Sequence, residues 1–266
     1  MLFRSVGFTP GGGPDITARY AAQKLAESWK QQVIVDNRPG ANGALASELT
    51  AKAAPDGYTV HLGTLAALVI TPAITKVSYD PFKDFSPIGR TVALQNIFIA
   101  HPTLPVKNIA ELIALAKARP GQLNYASSGT GGSGHLGGEM FRQAAGVDLV
   151  HVPYKGDTPA LIDLVSGQVS LEFGTAVAFL PYIKSGKLKA LAVTNPKRSP
   201  VVPDAPTVSE SGLPGFEALQ WFGLFAPAGT PRDVVNRLHA ETVKFLKAAD
   251  VRERLAALGT DIVGNT

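Results

Sequence analysis

Two stretches of bare backbone carry the most suggestive chemistry in this sequence. The first, Phe8-Thr9-Pro10-Gly11-Gly12-Gly13-Pro14-Asp15, lies between a strand-like run and a helical pattern. Glycines there let the backbone approach a ligand, and the free N–H groups of the helix's first turn favour a negative charge. The stretch does not match G-x-G-x-x-G, and it lacks the Lys-Ser/Thr that ends a phosphate-binding loop, so it reads as an anion site without a nucleotide motif. Asp15 opposes an anion even as the helix dipole welcomes one. A tight turn with an acidic first-turn residue accounts for the stretch equally well.

The second stretch repeats the design: Tyr125-Ala126-Ser127-Ser128-Gly129-Thr130-Gly131-Gly132-Ser133-Gly134-His135, again strand then helix. Its five hydroxyls and many bare amides suit hydrogen bonds to a carboxylate better than they suit packing.

Catalytic readings are thinner. Ser133 and His135 are the only tempting pair for nucleophilic catalysis, but Gly131-Gly132-Ser133-Gly134-His135 fails the G-x-S-x-G elbow at its last position, and residues two apart at a helix start do not face each other. His61, His101, His135, His151 and His239 are scattered without metal-ligand spacing, which implies no metal and no cofactor. Asp80, Asp84, Asp148 and Asp163 sit by turns or on helix faces, where solvation and capping explain them. Aromatic and basic residues do not form a common stripe, so no nucleic acid partner is expected. Trp221 and Phe222 read as core, with lining of a cleft as the alternative.

The elements that must position these loops are legible from period and punctuation. Strand-like runs are Leu2–Phe8, Gln32–Asp36, Tyr58–Gly63, Asn96–Ala100, Leu123–Ala126, Leu149–Val152, Val169–Phe173, Leu188–Val193 and Phe222–Ala226, and helical patterns alternate with them. This is the pattern of an α/β chain whose mostly parallel sheets are flanked by helices. Asn108 and Glu111 have capping-box spacing before a stripe of Ile109, Leu112, Ile113 and Ala116 that Pro120 ends. Thr230 and Pro231 predict an N-cap and first helical residue, and a third helix is expected from Pro14 to about Gln31.

Two proline-rich breaks, His101-Pro102-Thr103-Leu104-Pro105 and the stretch from Pro196 to Gly215, look like changes of domain. They predict one lobe of residues 1–100 plus 221–266 and another of 101–220, with a hinge near 100–102 and 219–221. The 266 residues suffice for two such domains, and with 45% hydrophobic and 17% charged residues they exclude a disordered chain. A net charge of +4 without a basic run reads as ordinary solubility, and the absence of cysteine removes disulfide, zinc-cluster and thiol chemistry. No stretch reaches the roughly 18 apolar residues of a membrane-spanning helix. The sequence enters its first strand-like run with no leader pattern, so either the protein is cytoplasmic or a signal peptide has been removed.

These residues resemble the Bug receptors, the extracytoplasmic solute-binding components related to tripartite tricarboxylate transporters. The likeness rests on the Phe8 to Asp15 loop, Asp36-Asn37-Arg38-Pro39-Gly40-Ala41-Asn42-Gly43, Pro55-Asp56-Gly57-Tyr58-Thr59 and Asn124-Tyr125-Ala126-Ser127-Ser128-Gly129. It continues through His151-Val152-Pro153-Tyr154-Lys155-Gly156, Gly167-Gln168-Val169, Gly186 to Val193 and Ala226-Pro227-Ala228-Gly229-Thr230-Pro231. The resemblance implies a two-lobed periplasmic-binding-protein-like (Venus flytrap) fold that closes over a carboxylate held by backbone amides and hydroxyls. By position it places Thr9, Pro10, Gly11, Gly12, Gly13 and Asp15 at the ligand, with Gly63 and Thr64 as a second edge. Ser128, Gly129, Thr130, Gly131, Gly132 and Ser133 would face it from the other lobe. Phe173-Gly174-Thr175 belongs to the same expected site but departs from the pattern, since many relatives carry Asp where this chain has Gly174. That departure predicts poor binding of amino acids. The resemblance further implies the periplasm, a protein that works as a monomer, and a membrane transporter as partner.

Two other functions compete with a receptor for a di-/tricarboxylate or aromatic acid. One is an α/β hydrolase or transferase using the same loops, for which no catalytic base stands beside a nucleophile. The other is a sensory module that binds the same ligand and reports to a signalling partner.

Overall fold

Short apolar runs closed by Gly, Pro or Asn become strands and the amphipathic runs between them become helices, in a computed structural model that describes residues 2–265. The order begins β1 (Leu2–Val6), α1 (Gly13–Trp29), β2 (Ile34–Asn37), α2 (Ala44–Ala51), β3 (His61–Thr64), α3 (Thr71–Ile74) and β4 (Phe85–Ala100). It continues with α4 (Ile109–Ala118), β5 (Asn124–Ser127), α5 (Ser133–Ala145), β6 (Val150–Pro153), α6 (Asp157–Val165), β7 (Leu171–Thr175), α7 (Ala176–Lys184) and β8 (Lys189–Val193). β9 (Leu219–Pro227), α8 (Arg232–Lys247), α9 (Ala249–Ala257) and β10 (Thr260–Asn265) follow.

The chain divides into two units, residues 1–93 with 221–266 and residues 94–220. In the first, the strand order is β2-β1-β3-β9: β1 runs parallel to β2 and β3, and β9 lies antiparallel to β3 with Gly63 opposite Gly223. In the second, the order is β4-β7-β5-β6: β5 is parallel to β6 and β7, while β4 is antiparallel to β7 and to β8. Parallel neighbours need a crossover, and here helices supply it, so the C-terminal ends of β1, β5, β6 and β7 all lead toward helix starts.

Alternation along a strand sorts the core of the second unit onto two faces. Phe98 packs with Phe141, Phe173 and Tyr125 on one side, and Ile97 and Ile99 join Ala126, Leu164 and Phe179 on the other.

Some local expectations are corrected and others hold. Helix α8 begins at Arg232, one residue late, because the Thr230 hydroxyl donates to Pro227 O at 2.8 Å and caps nothing. β4 runs 16 residues where only Asn96–Ala100 is expected, since Pro87 and Gly89 disguise its first half. Asn108 does cap α4, its Oδ1 accepting from Glu111 N at 2.9 Å, but Glu111 reaches back to Lys107 N. Phe222 is fully buried, while Trp221 is half-buried against the Ala44, Ala67, Leu68, Tyr79 and Phe85 cluster.

Candidate functional site

Loop 8–12 joins β1 to α1 through a turn in which Gly12 N donates to Thr9 O at 3.4 Å and Gly11 takes φ +82°, a left-handed conformation that glycine adopts freely. Gly12 flanks the helix in an extended conformation, φ −78° and ψ 169°. The Asp15 carboxylate, buried within the first turn, reaches back to accept from Gly11 N at 2.9 Å. It also accepts from Arg19 Nε at 2.9 Å and Asn37 Nδ2 at 2.8 Å, and Asn37 donates to Phe8 O as well. Burial pushes the Asp15 carboxyl up, but hydrogen bonds from Arg19, Gly11 and Asn37 outweigh it and hold the group below its ordinary range. Pro10 and Gly11 are exposed, Gly12 and Gly13 are buried, and half-buried Thr9 has an Oγ1 with no hydrogen-bond partner among the described residues.

The loop joining β5 to α5 has the same construction. Gly132 N donates to Gly129 O at 3.0 Å, Gly131 takes φ +81°, and Gly132 flanks the helix at φ −76° and ψ 168°. Where Asp15 reaches back to Gly11, His135 reaches back to Gly131: its Nδ1 accepts that N–H at 3.0 Å. In both loops the flanking glycine's carbonyl then takes the first helical bond, from Ile16 N at 3.0 Å and from Leu136 N at 2.9 Å. Each helix start therefore has first-turn amides without an acceptor inside the helix, the general feature by which a helix N-terminus attracts negative charge. Thr130 is exposed at the tip, Ser128 is half-buried, and Ser133 Oγ is turned inward to accept from Gln220 Nε2 at 2.8 Å. Gly134 is obligatory: a Cβ there would lie 2.1 Å from Phe173 O, so α5 starts in direct contact with β7.

The geometry rejects the Ser133–His135 pairing, since each side chain is committed elsewhere. His135 stacks on His151, ring centroids 4.1 Å apart, and His151 Nε2 lies 2.7 Å from Ser127 Oγ. A second Ser–His contact, Ser47 Oγ to His61 Nε2 at 3.0 Å, is buried in the first unit. Among the described residues no group of three or more His, Cys, Asp or Glu could hold a metal ion.

The remaining expected positions are more structural in character. A Cβ at Gly63 would strike Phe225 at 2.7 Å and Leu68 at 2.5 Å, and Thr64 Oγ1 accepts from Ala67 N at 3.2 Å. Phe173 is core, its ring 4.1 Å from that of Phe98. Gly174 leaves room for Phe179, whose Cε2 a Cβ there would approach to 2.3 Å, so packing accounts for the missing acid. Thr175 Oγ1 donates to Asp157 Oδ2 at 3.2 Å. Sequence reasoning missed Asp157, and with it Asn37, Gln220 and the His135–His151 pair. Asn37, His135 and His151 lie in stretches already singled out, but only their closeness in space reveals these contacts, as it does for Asp157 at Thr175; Gln220 is a polar residue set directly before Trp221.

A model described as the tripartite tricarboxylate transporter family receptor matches residues 17–266. Among solved structures the chain is similar to the periplasmic binding protein BugD, with 37% identity, 97% of this chain and 86% of that one covered, and a TM-score of 0.92. It is similar to MatC of Rhodopseudomonas palustris, solved with malate, at 36% identity, 97% and 88% coverage and a TM-score of 0.91. It is also similar to Rpa4515 of R. palustris, solved with adipate, at 36% identity, 97% and 86% coverage and a TM-score of 0.93. The mixed sheets with flanking helices are thus those of the α/β periplasmic binding protein fold. With a family match over most of its length, the protein belongs to the tripartite tricarboxylate transporter receptors, the Bug family, and is a periplasmic solute-binding receptor, not an enzyme.

Proposed function

We propose that this receptor captures a small carboxylate, a di- or tricarboxylate or an aromatic acid, through glycine-loop helix starts of the kind that 9–13 and 128–133 each present, and delivers it to a membrane transporter. The observation that carries the reading is the matched construction of the two loops, each a left-handed glycine, a flanking glycine and a helix start. A carboxylate is acceptor-only when ionised, so an array of N–H groups and the Thr130 and Thr9 hydroxyls complement it with charge-assisted hydrogen bonds. Asp15 and His135 serve as scaffold for that array, and their own acceptor atoms point back into the turns. The solved relatives with malate and adipate supply the ligand class by analogy.

A thermal-shift screen of the receptor against mono-, di- and tricarboxylates, with amino acids and nucleotides as controls, tests the reading. At least one plain carboxylate should raise the melting temperature well above every control. Stabilisation by nucleotides alone would refute it.

A further inference from the structure

The same station in two similar turns is filled by different chemistry. In the first loop a carboxylate accepts the N–H of the left-handed glycine, and in the second an imidazole does. Asp15 offers an acceptor at any pH where the protein is folded and its carboxyl ionised. His135 offers one only while Nδ1 is free of a proton, because an imidazolium has two donors and no acceptor. Since Gly131 N–H can only donate, the 3.0 Å contact fixes the tautomer: Nδ1 bare, the proton on Nε2.

The surroundings of the ring are consistent with that neutral form. On β6, His151 stacks at 4.1 Å with an interplanar angle of 28°, an arrangement that two imidazolium rings would oppose. On β5, Ser127 Oγ meets His151 Nε2 at 2.7 Å, and the same hydroxyl lies 3.2 Å from Gly129 O, so the two rings and the turn form one connected set. Within α5, Glu139 Oε1 is 4.0 Å from His135 Nε2, but that carboxylate is already shared between Tyr125 Oη at 2.7 Å and Arg142 at 2.7 Å. Arg142 also reaches Asp148 at 3.3 Å. Burial lowers the pKa of His135, Glu139 works in the opposite direction, and Arg142 adds to the lowering.

We propose that His135 is a positioning residue for ligand capture: its unprotonated Nδ1 holds Gly131 N–H, and through it the turn that presents the amides of the second loop to an anion. The proposal rests on the reading that this loop holds the carboxylate. Gly131 holds a left-handed φ of +81° that a glycine leaves readily, and among the described residues its N–H has no acceptor other than His135 Nδ1. Without the tether, the turn's conformation must be paid for when ligand binds, which appears as lost affinity.

Calorimetry with malate and adipate as probes, at pH 7.5, separates the possibilities when applied to the wild type, His135→Asn, His135→Phe and His135→Ala. Asn places an oxygen where Nδ1 stands, and Phe keeps the ring on His151 without an acceptor. The Asn variant should bind within about threefold of the wild type, whereas Phe and Ala should weaken binding by roughly three- to tenfold, the worth of one backbone hydrogen bond. Amide exchange should show Gly131 protected in the wild type and the Asn variant and unprotected in the Phe variant. Wild-type affinity should fall relative to that of His135→Asn as pH drops below the ordinary histidine range, a comparison that cancels protonation of the acid itself. Full affinity and Gly131 protection in His135→Phe would overturn the proposal while leaving the receptor intact. Failure of the wild type to bind either probe, beside wild-type binding of nucleotides, would remove the receptor reading and this inference together.

Discussion

Glu172 and Asp157 form a pair of buried acids in the second unit, and the Asp157 carboxylate adds to the burial that already holds the Glu172 carboxyl well above its ordinary range. Glu172 pairs across the sheet with Ile99 and Ala126, so its side chain shares their apolar face, and neither of its oxygens has a hydrogen-bond partner among the described residues. An acid in such a place favours its neutral form.

Stability should therefore fall as pH rises. A carboxyl with a raised folded pKa binds its proton more tightly folded than unfolded, so its contribution is complete below the ordinary carboxylate range and is lost as pH climbs through the folded value. Glu172→Gln should flatten the melting temperature between pH 5 and pH 9. Glu172→Leu should stabilise by about 1 to 3 kcal/mol at pH 8, because a buried polar group without partners is replaced by an apolar one. Urea melts of the two variants that match the wild type at both pH values would show that Glu172 finds partners in solution.

Asp15 has the opposite sign. Its folded pKa is lowered, so its contribution is complete above the ordinary carboxylate value and disappears as pH falls through the folded one, that is, below about pH 4. Asp15→Ala removes the acceptor of Gly11 N–H, Arg19 and Asn37 at once and should cost about 1 to 3 kcal/mol in urea melts at pH 7. A loss below a few tenths of a kcal/mol would mean that water replaces the carboxylate.

The helix–strand alternation, the two glycine loops and the cap at Asn108 were readable because each depends on neighbours in sequence. What could not be read depends on register. Glu172 opposite Ala126, Gly134 against Phe173 O and Gly174 against Phe179 follow from how β7 pairs and what packs on it, and no local pattern encodes that. The His135–His151 stack brings together residues of α5 and β6 whose spacing in the sequence matched no known motif. Pro87 and Gly89 concealed half of β4 because both residues are rare inside strands.

Succinate and aspartate differ by an ammonium group, and the receptor should separate them. Gly174 supplies no acid to its strand end, and the Asp15 carboxylate is committed to three donors, so an ammonium loses its hydration without a carboxylate set aside for it. In competition titrations aspartate should bind at least about tenfold more weakly than succinate, a gap of about 1.4 kcal/mol. Equal affinities that become unequal in Asp157→Asn would assign the ammonium to Asp157.

Calorimetric titration of malate and adipate into the wild-type receptor in EDTA, with recovery of the acid afterwards, decides whether the chain captures a plain carboxylate. At least one acid should bind saturably at one site per chain, unchanged by EDTA, and be recovered intact. At a hundredfold excess over Kd the bound form should gain about 2.7 kcal/mol, a rise of roughly 5 to 10 °C in melting temperature. Conversion of the acid, or saturable binding of nucleotides where both carboxylates give none, would contradict that capture.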